Sequence, residues 1–382
     1  MKIDESLLLF GCSLVAALRF QIISFEEVLM RLIHITPCCG SESCDRQVQG
    51  NRFSFGEWRS ARSGLLVALT VVSLLIAPCA SAQQISRIFF FGDSLSDAGN
   101  HFIATRTSSR QPFSLDPPIA SYDIGGHHFS DGATWAEQLA TALQIPTSGN
   151  PSLRVPGVFT NYAVGRARSG AHSPIFSDFD LSTQVNEYLS DFAGQPPQPT
   201  DLFVIWIGAN DVGDALTVLL TPPQLGGDPS GKTSAIILGN AVQAVATNLA
   251  KLAAFGAPRF LIANVPDLAK TPYIRFLGVT QSPLIPQFAS LFSGFYNQGL
   301  LQVVGQNPLI RLLDTNALFE DILAAPENFG LSNTTDRCTT PLVQGNAICS
   351  QPHSYLFWDG FHPTTTTHTA IAQRALQVLS AP

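Results

Sequence analysis

From residue 86 onward, short apolar runs alternate with longer segments whose apolar positions recur at helical spacing. Unbroken apolar runs of strand length suit strands buried on both faces, and strands alternating with helices suit a parallel sheet with helices on both sides. The runs at 87–91 (RIFFF), 158–164 (VFTNYAV), 202–207 (LFVIWI), 259–265 (RFLIANV) and 309–313 (LIRLL) predict five strands, enough for a flavodoxin-like α/β domain. Between them Val242, Val245, Leu249 and Leu252 mark a helix, which Gly256 and Pro258 stop. A further helix is predicted from about Asp131, where Ser130-Asp131-Gly132 precede Trp135, Leu139 and Leu143 on one face.

The segment before residue 83 departs from this alternation. Arg59 and Arg62 precede an apolar stretch from Leu65 to Ile76, and Ala80-Ser81-Ala82 follow as small residues of the kind that a signal peptidase reads. Residues 58–82 therefore read as an export signal with Gln83 opening the mature chain. A membrane anchor is the rival reading, but the apolar core falls short of the ~20 residues that span a bilayer. A lipid anchor on Cys79 is disfavoured by Pro78. Residues 1–57, in front of the signal, are either an over-extended gene start or a genuine extension.

Composition excludes whole classes. With 45% hydrophobic and 13% charged residues the chain can bury a large core, which a disordered polymer cannot. The net charge of −7 falls on the part after residue 82, because the earlier charges balance. So acidic a chain lacks the basic footprint of a nucleic-acid binder. Of the 7 cysteines, only Cys338 and Cys349 follow Gln83, and they bracket a polar loop. One local disulfide in an oxidising compartment is expected there, with two unpaired thiols as the alternative. No histidine has convincing metal-ligand spacing, so no metal or other cofactor is expected.

Candidate chemistry lies just after the predicted strands. Gly92-Asp93-Ser94-Leu95 follows the first run, Gly165-Arg166 the second and Gly208-Ala209-Asn210-Asp211 the third; Asp359-Gly360-Phe361-His362 stands near the C-terminus. The carboxyl ends of parallel strands share one edge, so these patterns can form one site. Ser94 supplies a nucleophile, His362 a base and Asp359 a group that orients the base. The Ser94 amide, the backbone near Gly165 and the Asn210 side chain can hold a developing oxyanion. In this reading Asp93 steadies the turn, Ser96 and Asp97 cap the next helix, and Asp211 is structural.

The blocks FFGDSLSDAGN, NYAVG, IWIGAND and DGFHPT, in this order, resemble the GDSL lipase/esterase family of SGNH hydrolases, and the likeness extends over about residues 86–380. The resemblance implies a three-layer α/β hydrolase domain across 83–382. It also implies Ser94 as nucleophile, Asp359 and His362 as its partners, and Gly165 and Asn210 as oxyanion contributors. The expected substrate is a small-molecule or lipid ester, with peripheral contact to lipid. One departure stands out: the second block usually has two glycines, and here Arg166 takes the second place, so the donor is either Gly165 or Arg166.

Other readings stay in view. An acyltransferase or a polysaccharide deacetylase would share the acyl-enzyme step. An inactive lipid- or carbohydrate-binding module is suggested by Arg166. Residues 226–233 (GGDPSGKT) match the phosphate-binding GxxxxGK[ST] pattern, although Pro222 and Pro223 separate them from any strand. Phe102, Ile103, Phe113, Phe129 and a loop at 273–293 are candidate apolar surface for an acyl chain.

Overall fold

The computed structural model describes residues 84–106, 112–113, 127–170, 179–305 and 307–381. The expected export signal and the N-terminal extension lie outside these residues.

Four strands, β1 (Arg87–Gly92), β2 (Asp201–Trp206), β3 (Phe260–Ala263) and β4 (Ile310–Leu313), form a parallel sheet in the order β1-β2-β3-β4. Their registers align Phe90 with Val204, Ile205 with Ile262 and Phe260 with Ile310. Because side chains alternate along a strand, the apolar runs divide between two faces. Phe89, Phe91, Phe203 and Ile205 point to one core, while Ile88, Phe90, Val204 and Trp206 point to the other.

The first face is covered by α3 (Leu181–Asp191), α4 (Ala209–Leu220), α5 (Lys232–Phe255) and α7 (Leu284–Val304), which contribute Val185, Leu216, Val245 and Tyr296 to its core. The opposite face is covered by α2 (Trp135–Ala142), α8 (Thr315–Ala324) and α9 (Thr365–Ser380), through Trp135, Leu318 and Ile371. This is the expected three-layer arrangement. Two short helices, α1 (Asn100–Thr105) and α6 (Pro272–Thr280), lie at the carboxyl edge of the sheet, and a small pair, β5 (Asn333–Arg337) and β6 (Tyr355–Phe357), leads to the C-terminal block.

The aromatic residues of β1 anchor the first core. Phe89 packs edge-on to Tyr188 at 4.7 Å and stacks on Phe203 at 4.8 Å, and all three rings are fully buried. Truncating such a ring to alanine typically costs ~3–5 kcal/mol.

Two sequence expectations change here. The run at 158–164 is not a regular strand: Asn161 bridges both Phe90 and Pro151. Even so, Phe90 N donates to Thr160 O, Tyr162 N to Phe90 O and Val164 N to Gly92 O, which is the parallel pattern beside β1. The segment therefore runs along the sheet edge without a ladder of its own. Helix α2 begins at Trp135 rather than near Asp131, because Thr134 is its N-cap and Glu137 Oε2 accepts from Thr134 N and Oγ1. The Ser130-Asp131 turn instead binds the C-terminal segment. Ser130 Oγ donates to Pro363 O, and Asp131 Oδ1 accepts from Thr365 N.

Candidate active site

The chain leaves β1 through a tight passage. A Cβ on Gly92 would lie 2.3 Å from the carbonyl oxygen of Trp206, so only glycine fits. Gln184 of α3 brackets the same residue, accepting from Gly92 N at 2.9 Å and donating to Gly92 O at 2.8 Å. The following turn is closed by Ser96 N and Asp97 N donating to Asp93 O, and by Leu95 N donating to the Asp93 carboxylate. This holds Ser94 at the strand end. Burial pushes the Asp93 carboxyl up to about 6.

The C-terminal block arrives at the same place. Phe361 N and His362 N both donate to Asp359 Oδ1 at 2.8 Å, an Asx-type turn that folds the histidine back over the aspartate. His362 Nδ1 lies 2.8 Å from Asp359 Oδ2, and His362 Nε2 lies 2.8 Å from Ser94 Oγ. With the Nδ1 hydrogen given to Asp359, Nε2 is left as acceptor for the Ser94 hydroxyl. All three side chains are buried, and Phe129 packs on the imidazole at 5.2 Å.

Helix α4 brings the third block. Gly208, its N-cap, has φ 120°, and a Cβ there would sit 2.2 Å from the Tyr296 ring, so the turn into the helix requires glycine. Asn210 follows in the first turn, and its Nδ2 donates to Ala167 O at 2.9 Å. An amide nitrogen carries two hydrogens, so one remains for another acceptor. Asp211 is buried and accepts from Ser169 N and Gly170 N, and burial pushes its carboxyl up to about 7. It ties α4 to the second block, in the structural role expected of it.

The second block resolves differently from the sequence reading. Gly165 N donates to Asp97 Oδ2 at 2.7 Å, so this amide is spent inside the protein. The same aspartate accepts from Gly99 N, Asn100 N and His101 N and so caps α1. Ser96 does not cap; its Oγ accepts from Trp135 Nε1 at 3.0 Å. Arg166 occupies the left-handed region at φ 69°, the conformation that a glycine would adopt freely.

Ser94, Arg166, Asn210 and His362 all line one cavity of about 310 Å³. Its walls include Leu216 and Leu220 of α4, Ile274 and Leu277 of α6, and Phe129, Leu268 and Phe361. Of the residues put forward for acyl contact, Phe129 lines the cavity, whereas Phe102 stacks on His127 and Phe113 is buried elsewhere. The supposed loop at 273–293 is α6 and the start of α7, and its Tyr273, Ile274 and Leu277 line the cavity. Sequence reasoning missed α4 as a cavity wall, although Leu216 and Leu220, four residues apart, were a usable signal.

Residues 226–233 follow a helix and a 3-10 turn, not a strand. Asp228 accepts there from Ser230 N, Thr233 N and both hydroxyls, which holds its carboxyl well below the usual range. A carboxylate thus occupies the place where a phosphate-binding loop would receive its ligand.

A model described as GDSL-like Lipase/Acylhydrolase matches residues 88–375. A thermolabile hemolysin of Vibrio parahaemolyticus is 27% identical over 77% of this chain, and the match spans 64% of that protein, less than two thirds of its length. A phosphatidylcholine-sterol acyltransferase of Aeromonas hydrophila is 25% identical over 80% of this chain and 94% of its own. GDSL esterase/lipase 5 of Arabidopsis thaliana is 24% identical over 76% and 82%.

Proposed function

This chain belongs to the GDSL-like lipase/acylhydrolase family, whose members act on ester bonds, and we propose that it is an exported serine esterase working through an acyl-enzyme. The observation that carries this reading is the relay at 2.8 Å on each side of His362, from Ser94 Oγ to Nε2 and from Nδ1 to Asp359.

Ser94 Oγ attacks the ester carbonyl carbon while His362 Nε2 takes its proton, and Asp359 steadies the imidazolium. The carbonyl oxygen becomes an oxyanion held by the amides of Ser94 and Arg166 and by the second Nδ2 hydrogen of Asn210. Gly165 drops out as a donor because Asp97 has its hydrogen. His362 then gives the proton to the leaving alkoxide, which departs as the alcohol. Water, deprotonated by His362, attacks the acyl-Ser94, and collapse of the second intermediate releases the acid and returns the proton to Ser94. Export is supported by the signal pattern at 58–82 together with the Cys338–Cys349 disulfide.

Replacing Ser94 by Ala should lower p-nitrophenyl butyrate hydrolysis by about a thousandfold or more. Full turnover in that variant would end the proposal. A second reading, transfer of the acyl group to an alcohol, is favoured by the likeness to the Aeromonas hydrophila acyltransferase. It shares every step up to the acyl-enzyme. Appearance of acylglycerol when glycerol is added, at the expense of free acid, would select it.

A further inference from the structure

Helix α4 carries Asn210 in its first turn and then runs outward along the cavity. Asn210, Gly213, Leu216, Thr217 and Leu220 all line that cavity; Asn210, Gly213, Thr217 and Leu220, spaced by three, four and three, lie on one face of the helix with Leu216 beside them. At 1.5 Å per residue this stripe is ~15 Å long from Asn210 to Leu220. Ile274 and Leu277 of α6 line the same cavity, so its walls beside the stripe are largely apolar.

Gly213 is the one place in the stripe without a side chain. A Cβ there would meet nothing within 4 Å, whereas at Gly92 and Gly208 it would collide. The residue sits inside α4 and is not among the glycines with positive φ, so neither packing nor backbone conformation requires glycine. A glycine inside a helix is also less favourable than alanine. What it provides is space, one turn beyond the Asn210 amide and inside the cavity.

We infer that Gly213 sets the acyl-chain length that the enzyme accepts. Its missing side chain keeps the passage between α4 and α6 open, so that a medium or long acyl chain on Ser94 threads past it toward Leu220. An acetyl group ends before that point and does not feel the residue. This deepens the esterase reading and rests on it for the acyl-enzyme, while the passage itself can be probed without chemistry.

Gly213→Leu places a branched side chain in the passage, and Gly213→Ala is the graded control. In Gly213→Leu the ratio of kcat/KM for p-nitrophenyl laurate to that for p-nitrophenyl acetate should fall about thirtyfold, and in Gly213→Ala by less, in line with what a filled apolar pocket costs. The Tm of both variants should be no lower than that of the parent, which separates blocking from misfolding. An unchanged ratio overturns the inference. Laurate binding is then measured by calorimetry in the Ser94→Ala background. Binding about tenfold weaker with Gly213→Leu supports the passage, because that side chain obstructs it. Unchanged binding overturns it. Weakened laurate binding in a protein that hydrolyses neither ester would keep the passage and sink the esterase reading.

Discussion

The guanidinium of Arg168 reaches back to Arg166, its Nη1 donating to the Arg166 carbonyl oxygen at 2.7 Å. Its Nε and Nη2 clasp the two carboxylate oxygens of Asp214 on α4, at 2.7 and 2.8 Å. One side chain thus joins the turn that presents the Arg166 amide to the helix that presents Asn210. Arg166 stands at φ 69°, where a residue with a Cβ costs about 1–2 kcal/mol, so the turn needs such a brace.

Arg168→Gln should therefore lower kcat by roughly ten- to a hundredfold, since small displacements of catalytic groups are that costly, with KM changed much less. Arg168→Lys should recover only part of the loss, because an ammonium cannot clasp a carboxylate and reach a carbonyl together. Steady-state kinetics decide this. An unchanged kcat in Arg168→Gln would mean that the turn keeps its shape unaided.

The proposed donor to the oxyanion is the backbone amide of Arg166, not its guanidinium. Arg166→Gly keeps the amide and relieves the left-handed Cβ, so kcat on a neutral ester should stay within about threefold of the parent. A loss beyond about tenfold would give the guanidinium a part in transition-state binding.

The disulfide supports the last strand before the site. Cys338 N donates to Phe357 O and Thr339 N to Trp358 O, directly ahead of Asp359. Closing a loop of this size is worth about 3 kcal/mol in the chain-entropy account. Replacing both cysteines by Ala should lower the urea midpoint accordingly, with kcat falling as the Asp359 turn loosens. An unchanged midpoint would contradict this role.

His368 is fully buried on α9, and neither ring nitrogen has a hydrogen-bond partner. Burial, aided by the nearby His128 and His362, holds its pKa down at about 3, well below the ordinary imidazole value of about 6.5. Between these values the unfolded chain binds a proton that the folded one refuses, so this residue removes stability as pH falls below 6.5, by at most about 1.4 kcal/mol per pH unit. Above 6.5 both states are neutral and the effect vanishes. His368→Leu should thus gain stability relative to the parent as pH drops from 7 to 4, read from urea midpoints across that range. A pH-independent difference would refute the assignment.

The hydrogen-bonded arrangement of Ser94, His362 and Asp359 was legible in sequence for a physical reason. Ser94 and Asn210 directly follow apolar runs that had to be buried strands, and Asp359 lies three residues before His362, the reach of one Asx turn. The second block was less legible. That Gly165 N serves Asp97 depends on where α1 begins, and Ser96 is turned from a cap to an acceptor by Trp135, 39 residues away. The segment at 158–164 carried the composition of a strand, but Asn161 pairs with two neighbours at once. Residues 273–293, read as a loop, form helices despite Pro283 and Pro286. Pro283 lies between the two helices and Pro286 in the first turn of α7, where proline is tolerated.

Mapping the adduct of an alkyl fluorophosphonate by mass spectrometry decides whether Ser94 is the nucleophile driven by His362. One adduct per chain is predicted, on the peptide containing Ser94, with esterase activity lost in step and labelling slowed at least about a thousandfold in His362→Ala. An adduct on another residue, or full activity in protein labelled at Ser94, would contradict the account.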